Sequence, residues 1–305
     1  MEREDLLLAE IRDSAVEMAK GAARILESHF GHVKGVEGKA GSKSDLVSQA
    51  DKESEAYLKA EIRRRYPGHG ILGEEGTDER PEESDFLWVL DPLDGTLNYV
   101  NGLPIYAVSI GVLNRSVPEV GCIWTPWPAK EDGIVFHACK GGGAFMGETP
   151  IAVRSNPAPQ PGQLAIFHRD FRLLYSKNAG PSAPVGEGRG PGSLAYELAL
   201  TSSGVFQYSV FTAPRIWDVA AGIVLVKEAG GTVLTYERGS KQWRELSRFG
   251  KPSVDVKGSA PRLRDWRSPI MAGNEELVQY LSRFARHETL VEKVKGVFKL
   301  SLIHI

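Results

Sequence analysis

An apolar segment that ends in two acids decides how this chain is interpreted: residues 86–96 have the sequence FLWVLDPLDGT. The five apolar residues at 86–90 predict a buried strand, and Pro92 and Gly95 are typical of a tight turn directly after it. Asp91 and Asp94 therefore stand at a strand end, where the scaffold aims their side chains. Asp-Pro and Asp-Gly also form ordinary surface turns about half the time. The segment alone is therefore compatible both with a functional site and with a surface turn.

Further acids stand at comparable positions along the chain. Glu74 and Glu75 follow a short strand signal at 70–73, and Asp218 lies in the opening turn of a predicted helix. Simpler explanations stay open for them: a surface Glu-Glu pair is usually solvated, and an acid in the first helical turn is favoured by the helix dipole. Spacing alone gives no reason to bring these acids together with the turn at 91–96.

The acids at 91–96 suit a divalent metal. Mg²⁺ takes oxygen ligands, and Asp91 and Asp94, with the Leu93 carbonyl between them, can serve a pair of ions. Two ions about 3.5–4 Å apart hold a phosphoryl group and activate water. The backbone N–H groups of Gly95 and Thr96 form a phosphate cradle. The Thr96 hydroxyl can relay a proton, with Asp51 as its candidate partner.

The first half of the chain predicts helices followed by an antiparallel-looking sheet. Apolar residues recur three and four apart over 4–30, and a second helix is expected over 48–66. Strand signals bounded by turn residues follow, over the ranges 70–73, 86–90, 105–113, 117–123 and 133–138. We therefore predict an N-terminal α+β domain over 1–150 that carries most of the metal ligands.

The second half alternates between strands and helices, which is typical of α/β organisation. Strands are expected at 164–167, 205–211, 231–236 and 269–272, and helices at 193–203, 215–229 and 274–286. We predict a C-terminal α/β domain over 151–305 that carries Asp218 and the substrate contacts. The charge-rich residues 237–267 show little periodicity and are expected to form a long surface excursion.

Composition excludes several classes of protein. The 305 residues carry a formal charge of −2, so nothing draws the whole chain to nucleic acid or to an anionic membrane. Cys122 and Cys139 lack the spacing of a zinc site or a disulfide framework, and we expect two reduced, buried thiols. The opening Met-Glu-Arg-Glu-Asp is unlike a signal peptide, and no apolar run reaches the ~18 residues of a membrane span. We expect a soluble cytoplasmic protein.

Four segments resemble motifs of one enzyme family. They are DLVSQAD at 45–51, ILGEE at 71–75, WVLDPLDGTLN at 88–98, and WDVAAG at 217–222 with EAGG at 228–231. In this order they resemble the signatures of the inositol monophosphatase family of Mg²⁺-dependent, lithium-sensitive phosphatases, and they cover roughly residues 5–275. The resemblance implies hydrolysis of a small-molecule phosphate monoester by metal-activated water.

The resemblance also implies a fold and residue roles. The fold would be a layered αβαβα sandwich of the inositol monophosphatase and fructose-1,6-bisphosphatase type, in a homodimer with two or three Mg²⁺ ions per site. The implied metal ligands are Glu74, Asp91, Asp94, Asp218 and the Leu93 carbonyl, and the implied catalytic residues are Asp51, Thr96 and Glu74. The implied substrate contacts are Asp94, Gly95, Thr96, Gly192, Ser193 and Asp218.

One departure bears on the substrate. Some members of the family have a glutamate six residues before the signature tryptophan, where this chain has Phe211, and a phenyl ring accepts no hydrogen bond from a polyol. We expect inositol 1-phosphate not to be the preferred substrate. Fructose 1,6-bisphosphate, histidinol phosphate and 3′-phosphoadenosine 5′-phosphate are the alternatives, and Phe211 as a simple core residue is equally compatible with the pattern.

Other features have simpler interpretations. His168, Arg169 and Asp170 can reach a second charged group of a substrate, but a solvated loop is favoured by base rates for such residues. Gly141-Gly142-Gly143 lacks the Lys and the helix of a phosphate loop, so a tight hairpin turn is expected. A regulatory protein that keeps the fold without catalysis is the alternative from another class, and the nearly complete set of acids argues against it.

Overall fold

The structure is a computed structural model. It describes residues 3–31, 37–38, 46–47, 49–74, 84–128, 130–180, 182–237, 239–250 and 263–285. In these ranges the helices are α1 Arg3–His29, α2 Gln49–Arg65, α3 Thr96–Val100, α4 Arg169–Ala179, α5 Leu194–Ser202, α6 Ile216–Glu228 and α7 Glu275–Phe284. A 3₁₀ turn spans Leu263–Asp265.

Seven strands of the first half form one continuous sheet. A two-stranded antiparallel ribbon, β1 Glu37–Gly38 and β2 Leu46–Val47, precedes it. The seven strands of the sheet lie in chain order: β3 Gly70–Gly73, β4 Phe86–Asp94, β5 Ala107–Asn114, β6 Val117–Trp127, β7 Lys130–Cys139, β8 Ala144–Met146 and β9 Thr149–Pro150. Every pair is antiparallel except β3 and β4. The antiparallel sheet expected from the sequence is confirmed.

A second, six-stranded sheet is mixed. Its strands are β10 Leu164–Ile166, β11 Glu187–Arg189, β12 Tyr208–Phe211, β13 Thr232–Glu237, β14 Gln242–Glu245 and β15 Ile270–Gly273. Their spatial order is β11-β10-β12-β15-β13-β14. The first sheet uses residues up to 150 and the second begins at 164, and the domain boundary near 150 stays a prediction.

Helices separate and cover the two sheets. Helices α1 and α2 pack on one face of the first sheet, and α5 and α6 lie between the two sheets. Helices α4 and α7 cover the outer face of the second sheet, where Phe171 and Tyr175 meet Tyr208 and Met271 in one apolar cluster. The layer order αβαβα predicted from the resemblance is confirmed.

Helix α6 lies unusually close to the first sheet. A Cβ atom added at Gly121 of β6 would stand 2.2 Å from the Ala221 carbonyl oxygen, and one at Gly111 of β5 would stand 2.7 Å from the Ala220 Cβ. The Ser109 hydroxyl of β5 donates to the Trp217 carbonyl at 3.2 Å. Since Ser109 pairs with Asp91 across β4 and β5, this contact brings the first turn of α6 beside the acidic end of β4.

Two parts of the chain differ from the predictions. Helix α4 was not predicted, although Phe171 and Tyr175 lie four residues apart as on one helix face. The surface excursion over 237–267 is wrong in part, because Gln242–Glu245 adds strand β14 to the sheet. Phe249 is buried and its ring meets the Trp266 ring edge-on at 4.9 Å. Residues 251–262 lie outside the described residues.

Several smaller predictions are settled by burial and pairing. Cys122 and Cys139 are both buried free thiols, as expected. The triple glycine at 141–143 forms the β7–β8 hairpin turn, and the N–H groups of Gly141 and Gly143 donate to the Glu228 carboxylate at 3.1 and 3.0 Å. None of the helices described here is both long and apolar enough to cross a membrane.

Candidate active site

Strand β4 ends in an irregular turn that carries two acids. Asp91 pairs with Ser109 and Asp94 with Ala107, so the register shifts between them. The Leu93 N–H donates to Asp91 Oδ1 at 3.1 Å, an Asx-type bond that stabilises the turn locally. Asp91 and Asp94 are buried, at 2% and 7% exposure. The turn therefore faces the protein interior, and the surface-turn interpretation is wrong for it.

Gly95 and helix α5 fix the orientation of Asp94. Asp94 Oδ2 accepts from the Ser193 hydroxyl at 2.7 Å and from the Ala195 N–H at 2.5 Å. Gly95, which directly precedes α3, has a φ of +89°. A Cβ there would stand 3.0 Å from both the Ile105 carbonyl oxygen and the Ser193 Cβ, so only glycine fits this close approach.

The acids predicted from distant segments lie close to one another. The pKa of Asp91 is raised well above its ordinary value by burial first, and then by Glu74, Asp94, Asp218 and Asp51. Burial also raises the pKa of Asp94 to about 7, against the hydrogen bonds from Ser193 and Ala195. The pKa of Asp218 is raised by burial and by Asp94, and lowered by the bond from the Arg215 N–H. Buried like charges disfavour ionisation.

Hydrogen bonds within the chain set the orientation of these carboxylates. Among the described residues, no three acidic, histidine or cysteine side chains meet in an ion-binding group. Two of the carboxylates are held elsewhere: Asp94 Oδ2 accepts from the Ala195 N–H of α5, and Asp218 Oδ2 accepts from the Arg215 N–H at 2.7 Å. Binding an ion would require these carboxylates to turn towards one another.

The chemistry of the donors fits Mg²⁺. The predicted ligands supply carboxylate oxygens and one backbone carbonyl, the hard oxygen donors that this ion takes. Asp94 raises the pKa of Asp91, and Glu74 raises the pKa of both aspartates, so a cation placed among these acids would relieve the repulsion. Neither aspartate forms a salt bridge with a described lysine or arginine, since the hydrogen bonds to both come from neutral groups.

Thr96 and Asp51 both lie near the turn. The Thr96 hydroxyl donates to the Leu93 carbonyl at 3.0 Å, while Asp51 is buried in the first turn of α2. Ser54, one turn further along α2, donates to the Pro92 carbonyl at 3.4 Å. Asp51 is therefore near the site, and its partnership with Thr96 stays a prediction. Glu75, the second acid of the Glu-Glu pair, lies outside the described residues.

The segment that carries Gly192 and Ser193 is held by two side chains that the sequence interpretation missed. Buried Glu197 accepts from the Gly192 N–H at 2.9 Å, and burial raises the pKa of this glutamate to about 8. Asn98 donates to the Pro191 carbonyl at 2.7 Å and to the Ile105 carbonyl at 2.8 Å. A lone acid in the apolar run LAYELAL is the signal that could have pointed to Glu197.

An aromatic residue with two arginines borders the acids. The Arg215 and Arg264 guanidinium carbons lie 5.5 and 5.4 Å from the centroid of the Trp217 ring. Arg264 also donates to the Gly73 carbonyl at 2.5 Å and to the Glu74 carbonyl at 3.0 Å. Phe211 is only 7% exposed and belongs to the apolar core between the sheets, so the core interpretation of this residue is confirmed.

A separate cavity lies away from these acids. It measures about 560 Å³ and opens between α1 and β7. Lys20, Arg24 and Lys130 line it together with Glu27, Glu131 and Asp132, so its charge favours neither an anion nor a cation. The acid-bearing turn is the better candidate for chemistry.

Known proteins similar to this chain include phosphatases. A protein from Aquifex aeolicus named fructose-1,6-bisphosphatase/inositol-1-monophosphatase is 33% identical over 232 residues, which cover 71% of this chain and 83% of that protein. A protein from Haemophilus influenzae named Nus factor SuhB is 30% identical over 255 residues, which cover 82% of this chain and 94% of that protein.

Solved structures with the same fold extend over nearly the whole chain. The extragenic suppressor protein suhB from Bartonella henselae has a TM-score of 0.73 at 28% identity, covering 92% of this chain and 100% of its own. An inositol monophosphatase from Anabaena has a TM-score of 0.64 at 28% identity, covering 90% and 95%. The sequence model of the inositol monophosphatase family matches residues 7–273. This chain belongs to the inositol monophosphatase family.

Proposed function

We propose that this protein is a Mg²⁺-dependent phosphatase that hydrolyses a small phosphate monoester. One observation carries the proposal: the pKa of buried Asp91 is raised by four other acids. Asp94 belongs to the same turn, while Asp51, Glu74 and Asp218 come from three other segments of the chain. Keeping like charges together in the interior is costly. A bound divalent cation removes that cost and gives the arrangement a use.

Each residue of the site has a proposed role. Glu74, Asp91, Asp94, Asp218 and the Leu93 carbonyl would hold the metal. Bound Mg²⁺ would supply charge for the phosphoryl oxygens and would acidify water. Thr96 and Asp51, with Glu74, would orient the attacking water and hold its proton. The N–H groups of Gly95 and Thr96 would bind the phosphate, and Gly192 and Ser193 would border the substrate.

The site also limits the identity of the substrate. The names of the relatives cover both fructose-1,6-bisphosphatase and inositol-1-monophosphatase, and those activities belong to those proteins. Phe211 is buried in the core, so it offers a polyol no acceptor. We keep the prediction that inositol 1-phosphate is not the best substrate. The homodimer and the cytoplasmic location also remain predictions.

A substrate panel tests the proposal. Inositol 1-phosphate, fructose 1,6-bisphosphate, histidinol phosphate and 3′-phosphoadenosine 5′-phosphate would be assayed for phosphate release with Mg²⁺ and with EDTA. We expect release that depends on Mg²⁺ and that is lost in Asp91→Asn. Full activity of that variant would contradict the assigned site. Clear preference for inositol 1-phosphate would show that the phenylalanine at position 211 does not disfavour inositol as a substrate.

A regulatory role is the second candidate. It is favoured by one observation, the similarity to two proteins named Nus factor SuhB. It predicts no Mg²⁺-dependent release from any member of the panel, together with a folded protein whose stability does not respond to Mg²⁺. The buried acids favour the catalytic role, because buried charges without a compensating cation destabilise the folded protein. A protein that binds no metal would gain nothing from keeping them.

A further inference from the structure

One peptide unit beside the acid site is held at both ends by side chains. The Pro191 carbonyl accepts from Asn98 Nδ2 at 2.7 Å, and the Gly192 N–H donates to the Glu197 carboxyl at 2.9 Å. The carbonyl and the N–H belong to the same planar trans peptide, so they point in opposite directions. Asn98 and Glu197 therefore fix the orientation of this plane from two sides.

The local sequence does not fix this plane by itself. Residues 190–193 are Gly-Pro-Gly-Ser, and Gly192 has a φ of +90°. A Pro-Gly pair suits the centre of a type II turn, and the peptide between the two central residues is flipped over in a type I turn. Such a flip of the Pro191–Gly192 plane would reverse its carbonyl and its N–H. Both hydrogen bonds would break, so the two side chains together select one of the two orientations.

The two side chains that hold this plane come from two different helices of the site. Asn98 lies in α3, two residues after Thr96, and its Nδ2 also donates to the Ile105 carbonyl at 2.8 Å. Glu197 lies in the first turn of α5 and is only 4% exposed. The plane thus connects the helix that follows the proposed phosphate cradle with the helix whose first turn contacts Asp94.

The held plane lies directly before the groups that orient Asp94. Ser193 follows it, caps α5 by accepting from the Tyr196 N–H, and donates its hydroxyl to Asp94 Oδ2 at 2.7 Å. The Ala195 N–H in the first turn of α5 donates to the same oxygen. Hydrogen bonds weaken steeply when their distance and angle change. A change in the direction in which the chain enters α5 would therefore loosen both bonds to Asp94.

We infer that Asn98 and Glu197 are positioning residues for the proposed reaction. By holding the Pro191–Gly192 peptide they fix the start of α5, and the start of α5 fixes the orientation of Asp94. Neither side chain has to touch the metal or the reacting phosphate in this role. The inference rests on the proposed phosphatase function, because that function gives Asp94 its part as a metal ligand and substrate contact.

Four variants test the two side chains. Glu197→Leu removes the acceptor and fills the buried volume, while Asn98→Ala removes the donor. Burial raises the pKa of Glu197 to about 8, so the neutral Glu197→Gln is a close replacement that keeps an acceptor. Thr201→Val is the matched control, because buried Thr201 lies one turn further along α5 and also makes a hydrogen bond to the backbone, at 2.8 Å. Circular dichroism would confirm that each variant is folded.

The kcat/KM for the best substrate of the panel should fall about 10-fold in Glu197→Leu and in Asn98→Ala, the factor expected for one hydrogen bond. Glu197→Gln and Thr201→Val should stay within about twofold. The double variant of Asn98→Ala and Glu197→Leu should lose much less than the product of the two losses, since both act on one peptide.

The inference is overturned if Glu197→Leu keeps the wild-type kcat/KM, if Glu197→Gln loses as much as Glu197→Leu, or if the double variant is fully additive. A role in stability alone would lower the free energy of unfolding and leave the kcat/KM of the folded protein unchanged. If Asn98→Ala does not fold, the contrast between Glu197→Leu and Glu197→Gln decides. If Glu197→Leu does not fold, the contrast between Asn98→Ala and Thr201→Val decides.

Failure of the phosphatase function is distinguishable from failure of this inference. If the wild type releases phosphate from no compound of the panel, the proposed function fails. Amide hydrogen exchange measured by NMR then decides about the two side chains. The Ala195 N–H, which is bonded to Asp94, should exchange about 10 times faster in Glu197→Leu and in Asn98→Ala than in the wild type. Glu197→Gln and Thr201→Val should leave its rate unchanged. Equal rates in all these proteins, or the same acceleration in Thr201→Val, would overturn the inference.

Discussion

Two kinds of buried acid occur in this molecule. Glu119 of β6 has a 5% exposed side chain and is paired with Lys140 Nζ at 2.9 Å and with Asn114 Nδ2 at 3.0 Å. Glu55 of α2 is paired with Lys59 at 2.8 Å. By contrast, Asp91 and Asp94 are bonded only by neutral donors and are surrounded by further acids.

The difference separates acids that the chain pairs with its own cation from acids that, under the proposed function, bind a metal ion. In the first kind the chain supplies its own cation, and removing the acid removes a favourable interaction. In the second kind the fold holds charges together at a cost, and removing one acid relieves repulsion. Activity and stability should therefore respond in opposite ways to neutral substitutions in the two groups.

The largest effect is expected for Asp91→Asn. Turnover with Mg²⁺ should fall by at least about 10²–10³-fold, as when a key electrostatic group is removed from an active site. The free energy of unfolding in EDTA should stay equal or rise, because one buried like charge is gone. Steady-state kinetics and urea unfolding would measure the two quantities. A variant that is inactive because it is much less stable would break the comparison.

The response of stability to Mg²⁺ is the next largest effect. An ion that binds only the folded protein stabilises it by about 2.7 kcal/mol at 100 times its Kd. Thermal unfolding with Mg²⁺ and with EDTA should show this gain in the wild type. Asp94→Asn should lose most of it, because a ligand is removed. A gain that persists in full in Asp94→Asn would place the ion elsewhere.

Glu197 lies between the two kinds of acid, and its expected effect is smaller. It is buried, with one N–H donor from Gly192, and burial raises its pKa from 4.5 to about 8. The folded protein therefore keeps a proton that the unfolded chain has released. This contribution to stability is complete below pH 4.5 and is lost as the pH rises through about 8.

Glu197→Gln should remove that pH dependence while keeping an acceptor for the Gly192 N–H. The difference in unfolding free energy between the variant and the wild type should shift in favour of the variant by about 1.4 kcal/mol per pH unit between pH 6 and 7. Urea unfolding in EDTA at both pH values would measure it. A difference that does not change with pH would mean that Glu197 is ionised in the folded protein.

The sequence predicted the elements better than it predicted the contacts among them. Strand β4 and its two acids were visible because an apolar run ends at Asp91-Pro92, and α6 because apolar residues follow Trp217-Asp218. Helix α4 was obscured by the neighbouring segment rich in Pro, Gly and Ser at 178–192. Periodicity describes a single element, so it identifies a helix or a strand without its partners.

The missing parts of the site were all set by tertiary contacts. Arg264 lies in a charge-rich segment without periodicity, where no arginine differs visibly from the others. Its contacts with the Glu74 carbonyl and the Trp217 ring depend on tertiary packing. The proximity of Asp218 to Asp91 was predicted only from the family resemblance. The two acids are brought together by the hydrogen bond from Ser109 to the Trp217 carbonyl, and local sequence patterns do not reveal such a tertiary contact.

Glu119→Gln is the counterpart of Asp91→Asn and should give the smallest effect. The glutamine keeps the shape and one acceptor but gives up the charge that faces Lys140. Because Lys140 is 59% exposed, water can solvate it when its partner is lost, so the free energy of unfolding should fall by only about 1 kcal/mol. The kcat/KM with Mg²⁺ should stay within about twofold, since Glu119 is not among the acids that raise the pKa of Asp91. We therefore expect Glu119→Gln to lose stability and keep activity, and Asp91→Asn to keep stability and lose activity. This opposite pattern distinguishes an acid paired by its own chain from one placed for an ion. If both variants lose the same property, the two kinds of buried acid are not physically different.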